Sequence, residues 1–385
     1  MIKVATVCSG IGSPEQALKN IGTPHEISFA CEIDKYARQT YLANFSPNMM
    51  LTDMTKEDWI GEEYYSDLFI GGIPCQAFSL AGKRLGESDP RGLLFYDFYR
   101  YVKNQQPKVF VIENVKGLLS DNDGKTFRNW LQLLGQSENT HINMFNHPDS
   151  LLYNLHYTVL NSKDFEVPQN RERVFIVGIR NDLPNTFRFP VGKPLTIRLK
   201  DILEGDVNDK YYLSEKLIKG FLSKQSAFSD RFEPTDGDCI ANCLTARMHK
   251  MGVTDNYIYV SKEKRTEEAK SERRNTGSNS FRSKEIVFEP QEYMNCLQTS
   301  LTNEHLIALK KSDNKDINTR NGYVTVRRLT PTECFRLQGF PDSFKKPVSE
   351  TQQYKQAGNS ITTFVIEAII RKLLNIIQLP SQKAA

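Results

Sequence analysis

The sequence predicts an α/β fold: a doubly wound, mostly parallel sheet covered on both faces by helices, joined to a smaller, irregular, β-rich region. Three observations predict it. Short β-branched runs recur with helical segments between them, glycines or carboxylates stand where those runs end, and the alternation weakens from about Lys193. The 385 residues exceed one typical core and suit two domains, or one large domain with an insertion. With 39% apolar, 10% aromatic and 25% charged residues, the chain has ample material for a core and is not disordered. Lys and Arg outnumber Asp and Glu by only 50 to 46, which excludes a strongly basic protein that coats nucleic acid without specificity.

The elements follow in order. Ile2 to Val7 is a β-branched run leading into Gly10 and Gly12, and Pro14-Glu15-Gln16-Ala17-Leu18 then suits a helix, with Ser13 as N-cap and Pro14 at its first position. Ile27 to Cys31 is a second strand closed by Glu32. Asp34 to Phe45 is helical, with Tyr36, Tyr41 and Phe45 as apolar points. Asp67 to Ile70 is a strand ending in Gly71-Gly72, and Lys108 to Ile112 is another, ending in Glu113-Asn114. In such sheets ligands sit beyond the carboxyl ends of the strands, where Gly10, Glu32, Asp53, Cys75 and Glu113 all fall. Val174 to Ile179 is a further strand, and a helix from about Thr362 to Leu379 finishes the chain before Pro380.

No apolar run approaches the roughly 18 residues that span a bilayer, so a soluble, non-secreted chain is expected. Seven cysteines, odd in number, dispersed and never in a C-x-x-C pair, argue for a reducing compartment. Cys239, Cys243 and His249 lack the repeating pattern of a zinc site, and no metal is expected. Lys262 to Lys284 holds eight basic and four acidic residues, an excess equal to the net charge of the whole chain. That stretch is either a solvated loop or a phosphate-contacting one.

Several residues can carry chemistry. A Gly-x-Gly turn after the first strand lets a ligand approach backbone amides at a helix N-terminus, and Glu32, about 20 residues on, stands where a carboxylate grips ribose hydroxyls. Glu15 occupies the place of the third fingerprint glycine, which favours a nucleoside cofactor without a pyrophosphate. Asp53 can accept hydrogen bonds from an adenine amino group, or cap a helix before Thr55. Gly71-Gly72-Ile73-Pro74-Cys75-Gln76 sets a cysteine on a shaped loop past a strand end, as a reactive thiol or a buried structural one. From Ala77 to Gly92, three glycines with Lys83, Arg84 and Arg91 read as a mobile basic loop able to close on an anionic substrate. Glu113 can donate or accept a proton in the crevice of Cys75, or cap the next helix. Gln169-Asn170-Arg171-Glu172-Arg173 alternates two guanidinium groups suited to a base carbonyl or a phosphate; an ion-pair ladder with Glu172 is the alternative.

Together these motifs resemble, in order and over nearly the whole chain, the S-adenosylmethionine-dependent cytosine-C5 DNA methyltransferases of bacteria and phage. Cys8-Ser9-Gly10-Ile11-Gly12 is similar to the cofactor turn, Glu32 to the ribose carboxylate, Asp53 to the adenine contact, Pro74-Cys75-Gln76 to the nucleophile motif, Glu113-Asn114-Val115 to the acid motif, and Gln169 to Arg173 to Q-x-R-x-R. Arg327 to Cys334 and Gln356-Ala357-Gly358-Asn359-Ser360 are similar to the last two motifs. The family often has phenylalanine, stacked on the cofactor, where this chain has Cys8.

The resemblance implies that Ile33, Met54, Gly72, Pro74, Asn359 and Ile361 also contact the cofactor. Residues 1–192 would be a catalytic domain, 193–326 a target-recognition domain, 327–353 a hinge and 354–385 a return to the catalytic domain. It implies a Cys75 thiolate adding to C6 of a flipped-out cytosine, Glu113 at N3, Arg173 at O2 and Arg171 positioning the site. Gln76, Ser79, Lys83, Arg84 and Arg91 would face duplex DNA. The expected partner is duplex DNA, met as a monomer, and whether a cognate restriction endonuclease accompanies the enzyme is left open by the sequence; the expected location is the cytoplasm of a bacterial or phage-infected cell. An RNA (tRNA) cytosine-5 methyltransferase and a non-catalytic DNA-binding protein of the same fold are the alternatives, with a nicotinamide dehydrogenase more distant.

Overall fold

Strands buried on both faces need apolar side chains in both directions, and the central runs supply them. The computed structural model describes residues 1–73, 94–138, 141–142, 147–205, 207–214, 217, 238–251, 255–263 and 322–380. Its main sheet contains β1 (Ile2–Val7), β2 (His25–Cys31), β3 (Met49–Leu51), β4 (Leu68–Gly72), β5 (Val109–Val115), β6 (Gly135–Glu138), β7 (His141–Ile142), β8 (Tyr153–Asn161) and β10 (Glu172–Ile179), in the order β3-β2-β1-β4-β5-β10-β8-β6-β7. From β3 to β5 every pair is parallel, whereas β10 runs antiparallel to both β5 and β8.

Alternate residues divide the core. Ala5, Val7, Phe69, Phe110, Ile112, Val174 and Ile176 face α3 (Leu94–Gln105) and α4 (Lys125–Leu134) through Phe95, Phe98, Tyr101 and Trp130. Val4, Leu68, Ile70, Val109, Val111, Phe175 and Val177 face α1 (Ser13–Ile21) and α7 (Thr363–Ile377). The last helix, spaced as an amphipath, thus belongs to the N-terminal sheet. A third cluster joins Tyr41 and Phe45 at α2 (Lys35–Asn44) to Leu199, Leu244 and Ile258, to Phe335 of α5 (Pro331–Arg336), and to Tyr354 and Ala357 of α6 (Glu350–Asn359). Described parts of 193–326 therefore share a core with segments before and after them. There β11 (Ala241–Asn242) pairs with β9 (Gln169–Asn170), and β12 (Tyr257–Glu263) pairs with β13 (Gly322–Arg328).

One local expectation is corrected. The N-cap of α1 is Gly12, left-handed at φ 91°, and Ser13 is the first helical residue. A Cβ on Gly12 would lie 2.4 Å from the Phe45 ring, so this glycine serves packing as well as the turn. The three-residue β3 is not legible, being too short to show a period. The strand expected to end in Glu113-Asn114 is β5, which runs through both residues to Val115. At the far edge a buried pair, Arg327 and Glu333, holds β13 to α5: the guanidinium donates to both carboxylate oxygens at 2.9 and 2.8 Å. Glu333 also closes a capping box with Thr330.

Candidate active site

The site is built where the parallel strands end, and the antiparallel strand brings its beginning to the same place. Gly72 is in register with Glu113, and Val115 with Arg173, so β4, β5 and β10 converge there. A cavity of about 380 Å³ opens at this edge, within the usual span of small-molecule sites. It is lined by Cys8, Gly10, Ile11, Glu32, Ile33, Asp53, Met54 and Gly72, by Glu113, Asn114, Arg171 and Arg173, and by Lys355 and Asn359. A smaller cavity beside it is lined by Ser9, Gly10, Ser13, Gly72, Asn359 and Ile361, among others.

The corner around Glu32 is ordered by backbone amides. Gly10 N donates to Glu32 Oε2 and Asp34 N to Glu32 Oε1, each at 2.8 Å, which leaves the other lone pairs free for hydroxyls. Burial lifts the Glu32 carboxyl above the usual carboxylate range, although these amides oppose it. Gly10 is left-handed at φ 57°, and a Cβ there would meet nothing within 4 Å. Gly12, by contrast, lines neither cavity, and its amide donates to Ser9 O. Ser9 turns inward to accept from Cys31 N at 3.0 Å. Cys8 is also left-handed, at φ 49°, and burial pushes its thiol up. Asp53 does cap: it accepts from Thr55 N and Oγ1 at 3.1 and 2.8 Å, and it still borders the cavity. Ile33 is 75% exposed, an apolar face presented to whatever enters.

At the opposite end Glu113, 8% exposed, pairs with Arg173: Nε lies 3.1 Å from Oε1. Arg171 does not have the base or phosphate contact suggested by its spacing. It is buried, and its guanidinium donates to the carbonyls of Leu244 (3.1 Å), Gly358 (3.2 Å) and Ser360 (2.8 Å). It thus fastens the segment after β11 and the turn after α6 to the start of β10. The ladder alternative fails too, since Glu172 pairs with Lys116. Pro74, Cys75, Gln76, Ser79, Lys83, Arg84 and Arg91 lie outside the described residues, as does 264–284.

Three pairings escape sequence reasoning. Asp34 with Lys355, and Cys243 with Arg171 and with Arg173, join groups distant in the chain, so no local pattern signals them. Cys243 Sγ sits 3.4 Å from Arg171 Nη1 and 3.8 Å from Arg173 Nη2. Burial alone would raise this thiol, but Arg171 and Arg173 overcome it and hold it below its usual range. His249, grouped with Cys243 in the sequence, instead bonds the Ala246 carbonyl at 3.1 Å.

Fold and site together define an α/β protein with a cavity at the strand ends, in which a carboxyl–guanidinium pair faces the same space as the glycine turn and Glu32. The chain belongs to the C-5 cytosine-specific DNA methylase family, whose model matches residues 2–375. It is 34% identical over 355 residues to the type II methyltransferase M1.ScrFI of Lactococcus lactis subsp. cremoris, covering 91% of this chain and 72% of that one. To M.HpaII of Haemophilus parainfluenzae it is 33% identical over 378 residues, covering 95% and 87%. Its fold is similar to that of the S. pombe Dnmt2 methyltransferase (TM-score 0.64, 20% identity, 98% and 100% covered). It is likewise similar to a Spodoptera frugiperda DNMT2 mutant (0.65, 21%, 97% and 100%). The protein is a DNA cytosine-5 methyltransferase, and its methyl donor is S-adenosylmethionine. The corner fits that donor: one fixed carboxylate for a ribose, an open glycine, and no demand for phosphate-binding groups.

Proposed function

We propose that the enzyme methylates C5 of a cytosine flipped out of a specific duplex sequence, through a covalent bond from Cys75 to C6. The observation carrying this reading is that Glu113 and Arg173, paired at 3.1 Å, line the same cavity as Gly10 and Glu32. C5 of cytosine is a poor nucleophile. Addition of the Cys75 thiolate to C6 breaks the C5–C6 double bond and moves electron density to C5. Glu113 shares a proton with N3, and Arg173 donates to O2, so the charge that develops on the ring is met by two groups already in place. When bound, the donor would supply an electrophilic methyl on a sulfonium, which C5 takes as the carbon–sulfur bond breaks and the sulfur leaves as a neutral thioether. Glu32 holds the ribose hydroxyls, Asp53 the adenine amino group and Asn359 the opposite wall. A base, water or hydroxide, then takes the C5 proton; its electrons reform the double bond and expel the Cys75 thiolate.

Arg171 holds the residue 244 carbonyl and the 358–360 turn, and so sets where Arg173 begins. Extruding the base costs a few kcal/mol, which phosphate and groove contacts must offset. The loop 76–91 serves as lid, with Gln76 or Ser79 filling the vacated space. Residues 193–326 read the target, with the basic stretch 262–284 on phosphates. The enzyme acts as a monomer on DNA in the cytoplasm of a bacterial or phage-infected cell, beside a cognate endonuclease. Among the described residues no helix is long and apolar enough to cross a membrane.

The test is trapping on duplex DNA containing 5-fluorocytosine, in which fluorine blocks removal of the C5 substituent. Wild type should form an adduct that maps to Cys75, and Cys75→Ser should bind DNA without forming one. No adduct, or an adduct on Cys243, would overturn the assignment.

A further inference from the structure

Asp34 and Lys355, 321 positions apart, meet at the rim of the large cavity, which both of them line. Lys355 Nζ lies 2.5 Å from Asp34 Oδ2, with side chains 42% and 25% exposed. Asp34 is a junction. Its Oδ1 accepts from Tyr36 N and Ala37 N at 2.8 and 3.2 Å, capping α2, while its own amide donates to Glu32 Oε1 at 2.8 Å. Where Asp34 sits therefore decides where the Glu32 carboxylate points. Burial alone would raise Asp34, but Lys355 and the two amides overcome it and hold the carboxyl below its usual range.

The neighbouring contacts separate two jobs. Gln356 donates to Tyr36 O at 2.9 Å and accepts from Thr40 Oγ1 at 3.1 Å, and these bonds lock α6 to α2. The ion pair adds little to that seam. Instead it bridges the two exposed walls of the mouth, Ile33 on one side and Asn359 on the other. Arg38, a second cation nearby, is occupied by the carbonyls of Glu32 and Ile33 at 2.7 and 2.8 Å, and Lys35 Nζ lies over the Tyr36 ring.

We infer that Lys355 is a positioning residue for the methyl donor: through Asp34 it orients Glu32 and closes the rim, setting cofactor affinity and not DNA affinity. The inference rests on the reading of Glu32 as the ribose carboxylate. Its test uses the full chain, with S-adenosylhomocysteine binding by calorimetry and duplex binding measured alongside. Lys355→Met and Asp34→Asn should each weaken S-adenosylhomocysteine about fivefold, the upper range for a part-exposed ion pair, and leave the duplex Kd unchanged. Asn retains the cap, so the Asp34 variant stays folded. The double variant should be no worse than either single one, and high salt should erase most of the wild-type advantage. Unchanged affinity in both variants, or losses that add in the double variant, would overturn the inference. Glu32→Ala separates the two layers. If it weakens binding while Lys355→Met does not, only the positioning role falls; if Glu32→Ala binds normally, the reading beneath it falls as well.

Discussion

Replacing Arg171 by lysine keeps the charge and removes the fork, and so isolates what the guanidinium's shape contributes. In the native protein Nη1 reaches Leu244 O at 3.1 Å, and Nη2 reaches Gly358 O and Ser360 O at 3.2 and 2.8 Å. These carbonyls belong to two segments, and one ammonium cannot bond both sides from the lysine stem. At least two bonds from a charged donor are lost, at roughly 1.5–3 kcal/mol each, because the orphaned carbonyls stay buried. The expected destabilisation is about 3–6 kcal/mol, a large part of the roughly 5–15 kcal/mol typical of a domain. Urea unfolding at constant m value measures it, and S-adenosylhomocysteine binding should weaken in parallel as the 358–360 turn loosens. A loss below about 1 kcal/mol would show that the carbonyls find other partners and that Arg171 is no fastener. A variant of full stability with weakened DNA binding would return it to the base or phosphate contact suggested by its spacing.

Gly12→Ala should cost about 2–5 kcal/mol, combining a left-handed residue with a Cβ placed 2.4 Å from the Phe45 ring, and a melting temperature within a degree of wild type would refute that. Glu15 is fully buried, its Oε1 accepting from Thr6 and Tyr41, and burial raises its carboxyl. The folded state then binds the proton more tightly than the unfolded chain. Stability is lost as pH rises from the ordinary carboxylate range through the raised value, by up to about 1.4 kcal/mol per unit. Glu15→Gln, permanently neutral, should flatten that fall, and parallel stability–pH curves for the two proteins would exclude it. Neutralising the basic residues of 262–284 should lower the salt slope of DNA binding by roughly 0.9 for each phosphate contact removed, and an unchanged slope would restore the solvated-loop alternative.

The frame of the site was legible because its parts are local. A β-branched run, a glycine turn and a proline at the helix start determine strand, turn and helix within 20 residues, and each strand end places its next carboxylate at one edge of the sheet. From this the sequence by itself determined the α/β sheet, the glycine turn and the places of Glu32 and Glu113 at the ends of their strands. What it left open depends on partners far along the chain. Whether Gly12 makes room for a ligand or for Phe45 was decided by how α2 packs, and whether Arg171 faces a base or three carbonyls was decided by where residues 244 and 358–360 come to rest. Only the tertiary structure decided these, along with the Lys355–Asp34 bridge, because a polar side chain bonds whichever groups the assembled core leaves within 3 Å, and no periodicity encodes that.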